Sequence, residues 1–141
     1  MIKKILGLLV LIALIAAVIF WFNREQWLAD FNQERQQKAQ EFKEKGLLFA
    51  QDANQQQCIE EGLDQLKQCF AFDCTLDQGV FLRSCLSQAK PSAQFCEEVP
   101  KFREKLTEDD KYWLKDQCWD EKLNSDSCKF LYKQKIHFCS Q

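Results

Sequence analysis

Glycine and proline are scarce, four and two in 141 residues, and a chain so poor in turn-formers is expected to be helical rather than a turn-rich β fold. Histidine occurs once, as His137, and no serine or cysteine around it forms the pattern of an activated nucleophile. No Cys-x-x-Cys or Cys-x-x-Cys-His occurs, which removes the redox and haem-attachment motifs. Glycine-rich phosphate loops and calcium loops are missing too. Charge of one sign is nowhere concentrated: 19 Lys and Arg are interspersed with 21 Asp and Glu for a net charge of −2. A nucleic-acid surface needs clustered cations, so none is expected. The adjacent acids Glu60-Glu61, Glu97-Glu98 and Asp109-Asp110 point in different directions on a helix and read as solvated faces rather than acid–base pairs. Cys69 and Cys74 have a spacing that zinc tolerates, but no second tight pair accompanies them. No metal and no cofactor is expected.

What the chain has in abundance comes first at its start. Lys3 and Lys4 precede an uncharged apolar run from Ile5 to Phe22. Eighteen helical residues rise roughly 27 Å, close to the thickness of a bilayer's hydrocarbon core. A cleaved secretory signal needs small residues in an Ala-x-Ala arrangement. Ala13, Ala16 and Ala17 are not so spaced, and Phe20-Trp21-Phe22 follows them, as suits an interfacial belt. No cysteine lies near this segment to carry a lipid. Residues 1–22 are therefore expected to be a retained transmembrane signal anchor. Lys3 and Lys4 against a lone Arg24 beside Glu25 place the N-terminus on the cytoplasmic side by the positive-inside rule.

Residues 23–46 turn polar, with Trp27, Phe31, Ala39 and Phe42 as the main apolar side chains. Continued as heptads, they put Glu34 and Lys38 on the seam, so a coiled coil is not sustained. A solvated helical stalk is expected, with Trp27, Leu28 and Phe31 available to headgroups or a membrane partner. Gly46 reads as a break, and residues 47–141 as the domain beyond it. There a helix starting at Leu47 or Asn54 runs to Cys69, carrying Ile59, Leu63 and Leu66 on one face. Thr75-Leu76-Asp77-Gln78 has the form of a capping box opening a second helix. Pro91 ends that helix, Ser92–Val99 reads as a short helix holding Cys96, and Thr107 followed by three acids reads as another helix start. The last helix is expected from about Cys128 to Cys139.

All eight cysteines lie between positions 58 and 139, a density that suggests a disulfide scaffold in an oxidising compartment. Cys58 and Cys69 are eleven residues apart, as are Cys74 and Cys85, Cys85 and Cys96, and Cys128 and Cys139. Eleven residues make three helical turns, so such a pair shares a face but sits roughly 16 Å apart along the axis. A disulfide spans only about 4.4–6.8 Å between Cα atoms, so each cysteine must reach a neighbouring helix. Residues level with each other in an antiparallel hairpin have a constant index sum. Cys58 with Cys85, and Cys69 with Cys74, share one sum and form two rungs. For the other four, Cys118–Cys128 closes the turn near Asn124 and leaves Cys96–Cys139. The alternative, Cys96–Cys128 with Cys118–Cys139, needs a less regular hairpin.

The doubly stapled hairpin of residues 58–85 resembles the coiled-coil-helix-coiled-coil-helix proteins of the mitochondrial intermembrane space. Their paired Cys-x9-Cys spacing occurs here only at Cys118 and Cys128, the other repeats being Cys-x10-Cys. The resemblance is one of hairpin geometry and carries over no functional residue.

The expected fold is all-α: an N-terminal single-pass transmembrane helix and a small disulfide-stapled helical-hairpin domain. The expected role is that of a non-enzymatic, membrane-anchored envelope protein whose domain binds or scaffolds another envelope protein. Its place would be a bacterial inner membrane with the domain periplasmic, which fits the lack of Asn-x-Ser/Thr sequons. The alternative is a thiol-exchange accessory or small enzyme using a labile pair, with Cys69–Cys74 the foremost candidate. Four aromatic residues are candidate partner contacts: Phe70 and Phe72 in the turn between the stapled helices, and Trp113 and Trp119 on the Thr107 helix. A large ring in a short turn either tucks under a neighbour or projects as an anchor.

Overall fold

The computed structural model describes residues 2–69, 71–121, 123 and 125–141. Phe70 and Asn124, which the sequence places in two turns, lie outside these residues. Among the described residues five helices follow in order: α1 (Ile2–Ala50), α2 (Gln55–Leu66), α3 (Phe72–Leu86), α4 (Glu108–Asp120) and α5 (Ser125–Cys139). No strand occurs among the described residues, so the fold is all-α.

The chain divides into two compact units, one ending at Gln37 and the other spanning Lys38–Gln141. The first consists of α1 residues. Its large apolar side chains, from Ile5 to Phe22, are all exposed, and the helix is long and apolar enough to cross a membrane. Just beyond the run, the Arg24 guanidinium lies 4.2 Å from the Trp21 ring centroid. The Asn23 side chain donates back to the Ile19 carbonyl at 2.9 Å. Both polar groups are thereby partnered within the helix.

In the second unit α2 packs on α3, both pack on α5, and α4 packs on α5. Each helix contributes its regularly spaced apolar positions: Ile59, Leu63 and Leu66 from α2, Leu82 and Leu86 from α3, Leu114 from α4, and Leu131 and Ile136 from α5, all buried. These spacings put one stripe per helix toward the common core. Two helix starts are fixed by capping boxes. The Asn54 side chain accepts from the Gln57 N–H at 3.0 Å while Gln57 Oε1 accepts from the Asn54 N–H at 2.9 Å. Thr107 and Asp110 do the same for α4.

The observed helices depart from the sequence pattern at three places, each for a physical reason. Gly46 does not break α1, which continues to Ala50. It is buried against α3: a methyl group there would overlap the Phe81 carbonyl oxygen and lie 3.0 Å from Ser84 Cβ and 3.1 Å from the Cys85 nitrogen. Glycine serves as the point of closest helix approach. The last turns of the expected stalk, from Lys38 on, belong to the compact domain. Second, α3 begins at Phe72 with Ala71 as an N-cap that makes no side-chain bond. Thr75 is not a cap: its hydroxyl is buried and hydrogen-bonded to Ser127 Oγ of α5 at 2.8 Å. Third, Ser92–Val99 forms turns, not a helix. Gln94 and Glu98 adopt φ of 65° and 57°, a left-handed conformation that no right-handed helix accommodates. This segment is tied instead to the start of α2, where the Gln56 N–H donates to Ser92 Oγ at 3.1 Å and the Gln55 N–H to the Lys90 carbonyl at 3.0 Å.

Gly46→Ala is expected to destabilise the domain by about 1–3 kcal/mol through overpacking against the α3 backbone, despite alanine's better helix propensity. Gly7→Ala, which adds a methyl to open space, should leave the same transition unchanged. Denaturant melts of the two variants in detergent check this.

Candidate functional site

Four disulfides set the frame on which any site is built. They join Cys58–Cys85, Cys69–Cys74, Cys96–Cys139 and Cys118–Cys128, with Cα separations of 5.8, 5.6, 5.4 and 5.8 Å. All eight cysteines are therefore paired. The first two are rungs of the α2–α3 hairpin, the fourth joins α4 to α5, and the third ties the turn segment around Phe95 to the end of α5. Cys58, Cys85, Cys118 and Cys128 are buried, Cys69, Cys74 and Cys139 half-buried, and Cys96 exposed.

The aromatic candidates are dispersed. Phe72, the first residue of α3, is 70% exposed, and Trp119 near the end of α4 is 78% exposed. Trp113 is half-buried, its ring meeting Tyr132 of α5 edge-on at 5.8 Å, which is core packing. No ring contact joins these three to one another among the described residues. His137 is exposed and meets the Phe102 ring edge-on at 5.1 Å.

A concave site forms elsewhere, where the C-terminal turns of α1 cross the α2–α3 hairpin. Phe42, Lys45, Leu48 and Phe49 from α1, Glu61 and Gln65 from α2, and Gln78 and Phe81 from α3 line a groove of about 460 Å³. That volume falls in the range of small-ligand sites, about 300–1,000 Å³. Phe49 and Phe81 contact each other with ring centroids 5.7 Å apart, forming its apolar floor. The polar groups at the walls are mostly engaged. Lys45 Nζ pairs with Glu41 at 2.6 Å and lies 4.7 Å from the Phe42 ring centroid. Its hydrogen bond holds the Glu41 carboxyl below the usual carboxylate range. Gln65 Nε2 donates to Glu61 Oε1 at 2.9 Å. Gln78 is 5% exposed, and its amide makes no hydrogen bond to the described residues but keeps contact with solvent.

No family model, curated protein or solved structure matches this chain. The groove is thus read from its own chemistry. Among the described residues no cluster of His, Cys, Asp and Glu has the geometry to hold a metal ion.

The sequence reading missed this groove because it assigned Phe42 to a stalk and Gly46 to a break. The available signal was the pair Phe42 and Phe49, one heptad apart on the same helix face as Lys45. A second hollow, lined by Glu60, Glu61, Asp64, Lys67 and Glu121 among others, is predominantly acidic. Lys67 is held protonated above its usual range by its hydrogen bond to Asp64 at 2.9 Å.

Asp110 is buried and engaged through both carboxylate oxygens. The Thr107 N–H donates to its Oδ2 at 2.8 Å, and Arg103 Nη1 donates to both oxygens at 2.9 and 3.0 Å. The backbone bond first, then the Thr107 hydroxyl partner and Arg103, lower its pKa below the ordinary 3.8. A depressed folded-state value contributes stability that is present above the unfolded pKa and is lost as pH falls through the folded one. Asp110→Asn is therefore expected to flatten the acid limb of the stability–pH curve below about pH 4, as read by melting temperature between pH 2 and pH 6.

The bridges should differ in weight with the loops they close. By loop-closure entropy, removing Cys96–Cys139, which spans 43 residues, is expected to cost about 4 kcal/mol. Removing Cys69–Cys74, which spans 5 residues, is expected to cost about 2 kcal/mol. Paired Cys→Ser variants compared by denaturant titration test the order.

Proposed function

We propose that this chain is a single-pass, non-enzymatic protein of a bacterial inner membrane, with a cytoplasmic N-terminus and a disulfide-stapled periplasmic domain that binds another envelope protein. The supporting observation is a juxtaposition along the chain. A helix whose large apolar side chains from Ile5 to Phe22 are exposed is followed by a domain in which all eight cysteines are paired. An apolar surface of that length is stable in lipid, and disulfides persist where thiols are oxidised. Lys3 and Lys4 on the near side of the span orient the chain so that both conditions hold together. Partner binding is supported by the groove, whose lining leaves Leu48 exposed and Phe42 and Phe49 half-exposed to solvent.

A reporter enzyme active only in an oxidising compartment, fused after Gln141, should be active in cells, and the same fusion with the span reversed in charge asymmetry should lose activity. Absence of activity from a full-length wild-type fusion overturns the orientation. Photoreactive residues substituted at Leu48, Phe72, Tyr112 and Trp119, all exposed, should give a discrete crosslinked species from at least one position in native membranes. Crosslinks from none of them overturn the binding role.

A further inference from the structure

We infer that Cys96–Cys139 is a reversible redox site: the thiolate of an external dithiol attacks Cys96, the Cys139 thiolate departs beside the Lys135 ammonium, and the domain stays folded. Access singles this bridge out. Cys96 is exposed, whereas both cysteines of Cys58–Cys85 and of Cys118–Cys128 are buried and both of Cys69–Cys74 are half-buried. Exposed or strained bridges are the labile ones. The strain here lies in the backbone. Gln94 and Glu98, two residues to either side of Cys96, hold φ of 65° and 57°, a conformation unfavourable for residues that carry a Cβ. Opening the bridge lets that turn relax.

Charge decides which sulfur leaves. The thiol of lower pKa leaves faster, and a neighbouring cation lowers it. Lys135 stands one helical turn before Cys139 on α5, so the two side chains share a face. Its ammonium lies 4.4 Å from the Phe95 ring centroid, and among the described residues it has no carboxylate partner. Burial lowers the pKa of this lysine, and the same weak screening strengthens its pull on an adjacent anion. That full charge offsets the partial negative charge at the end of α5. Cys96 has the opposite setting, with Glu97 and Glu98 next to it in the chain.

In the first step a bond forms between the attacking sulfur and the Cys96 sulfur while the Cys96–Cys139 bond breaks. Its electron pair goes to Cys139, which takes a proton from solvent. The second thiol of the dithiol, its proton given to solvent, then attacks its partner sulfur and frees Cys96. Two electrons and two protons pass to the cysteine pair, and the dithiol becomes a disulfide. The turn stays attached through Phe95, which is 3% exposed and meets Phe138 edge-on at 6.1 Å, and through the Gln56 N–H bond to Ser92 Oγ. Those contacts keep the two thiols near each other, so the bridge can close again.

The test uses the full chain in nanodiscs without denaturant, with dithiothreitol as the dithiol. Timed quenching with N-ethylmaleimide and peptide mapping should find Cys96 and Cys139 alkylated about tenfold or more sooner than the other six cysteines. The helical circular dichroism should persist at that stage, and oxidised glutathione should restore the bridge. Opening of Cys69–Cys74 first, or of all four bridges together, overturns the inference. Reduced glutathione, a monothiol, reports the direction of attack. Its early adduct should sit on Cys96 with Cys139 alkylated, and an adduct mainly on Cys139 overturns that direction. Lys135→Met keeps the stem and removes the charge. It should slow the opening of Cys96–Cys139 about threefold or more, with Cys69–Cys74 unaffected and the rate restored in Lys135→Arg. Equal rates in wild type and Lys135→Met overturn the role of Lys135.

Discussion

Cys58 and Cys85 are both fully buried, and the bond between them lies where three helices meet. It holds α2 and α3 level with each other, so Ile59 and Leu82 enter the core side by side, and it presents a two-helix surface for α5 to lie on. That surface is notched. A methyl on Gly62 of α2 would come within 3.1 Å of Leu131, and one on Gly79 of α3 would overlap the Phe130 ring. The helix α5 thus seats two large side chains where the hairpin has none. α4 is then carried by α5, through Cys118–Cys128 and the Trp113–Tyr132 contact. Remove the first rung and the later contacts lose the surface they are built on.

How much of this was legible in the sequence depends on the range of the interaction involved. The cysteine spacing is informative because two rigid lengths meet in it: the helix rise is fixed, and a disulfide's reach is short. Asn54 and Thr107 act within one turn, so their capping patterns could be read locally. Thr75 has the same local pattern, but its hydroxyl is claimed by Ser127, 52 residues further on, and no windowed reading contains both. Gly46 failed for a related reason. Glycine is ambiguous between a chain break and a close approach until its neighbour is known, and the neighbour here is the α3 backbone. Ser92–Val99 has helical composition, yet the tether to α2 and the two left-handed residues determine its path.

The groove was illegible for the sum of these reasons. Its residues come from three helices, and one wall was assigned to a stalk. The exposed aromatic residues that the sequence did single out are scattered over the domain instead, with Trp113 spent on packing. Asp110 was read as part of a solvated acidic face, but it is buried and paired with Arg103 seven residues before it.

The connection from Cys96 to Cys139 has a temporal side. Chains emerge from the ribosome N-terminal end first, and a bridge cannot close until its later cysteine is out. Both rungs of the α2–α3 hairpin are available once Cys85 has appeared. Cys96, exposed on its turn, cannot close its own bridge until Cys139, 43 residues later, has emerged. During that interval Cys118 and Cys128 appear and compete for it. The short α4–α5 turn answers that competition kinetically, because it brings Cys128 to Cys118 soon after both emerge. Of the partners open to Cys118, Cys128 is ten residues away and Cys96 twenty-two, so loop closure favours the native pair.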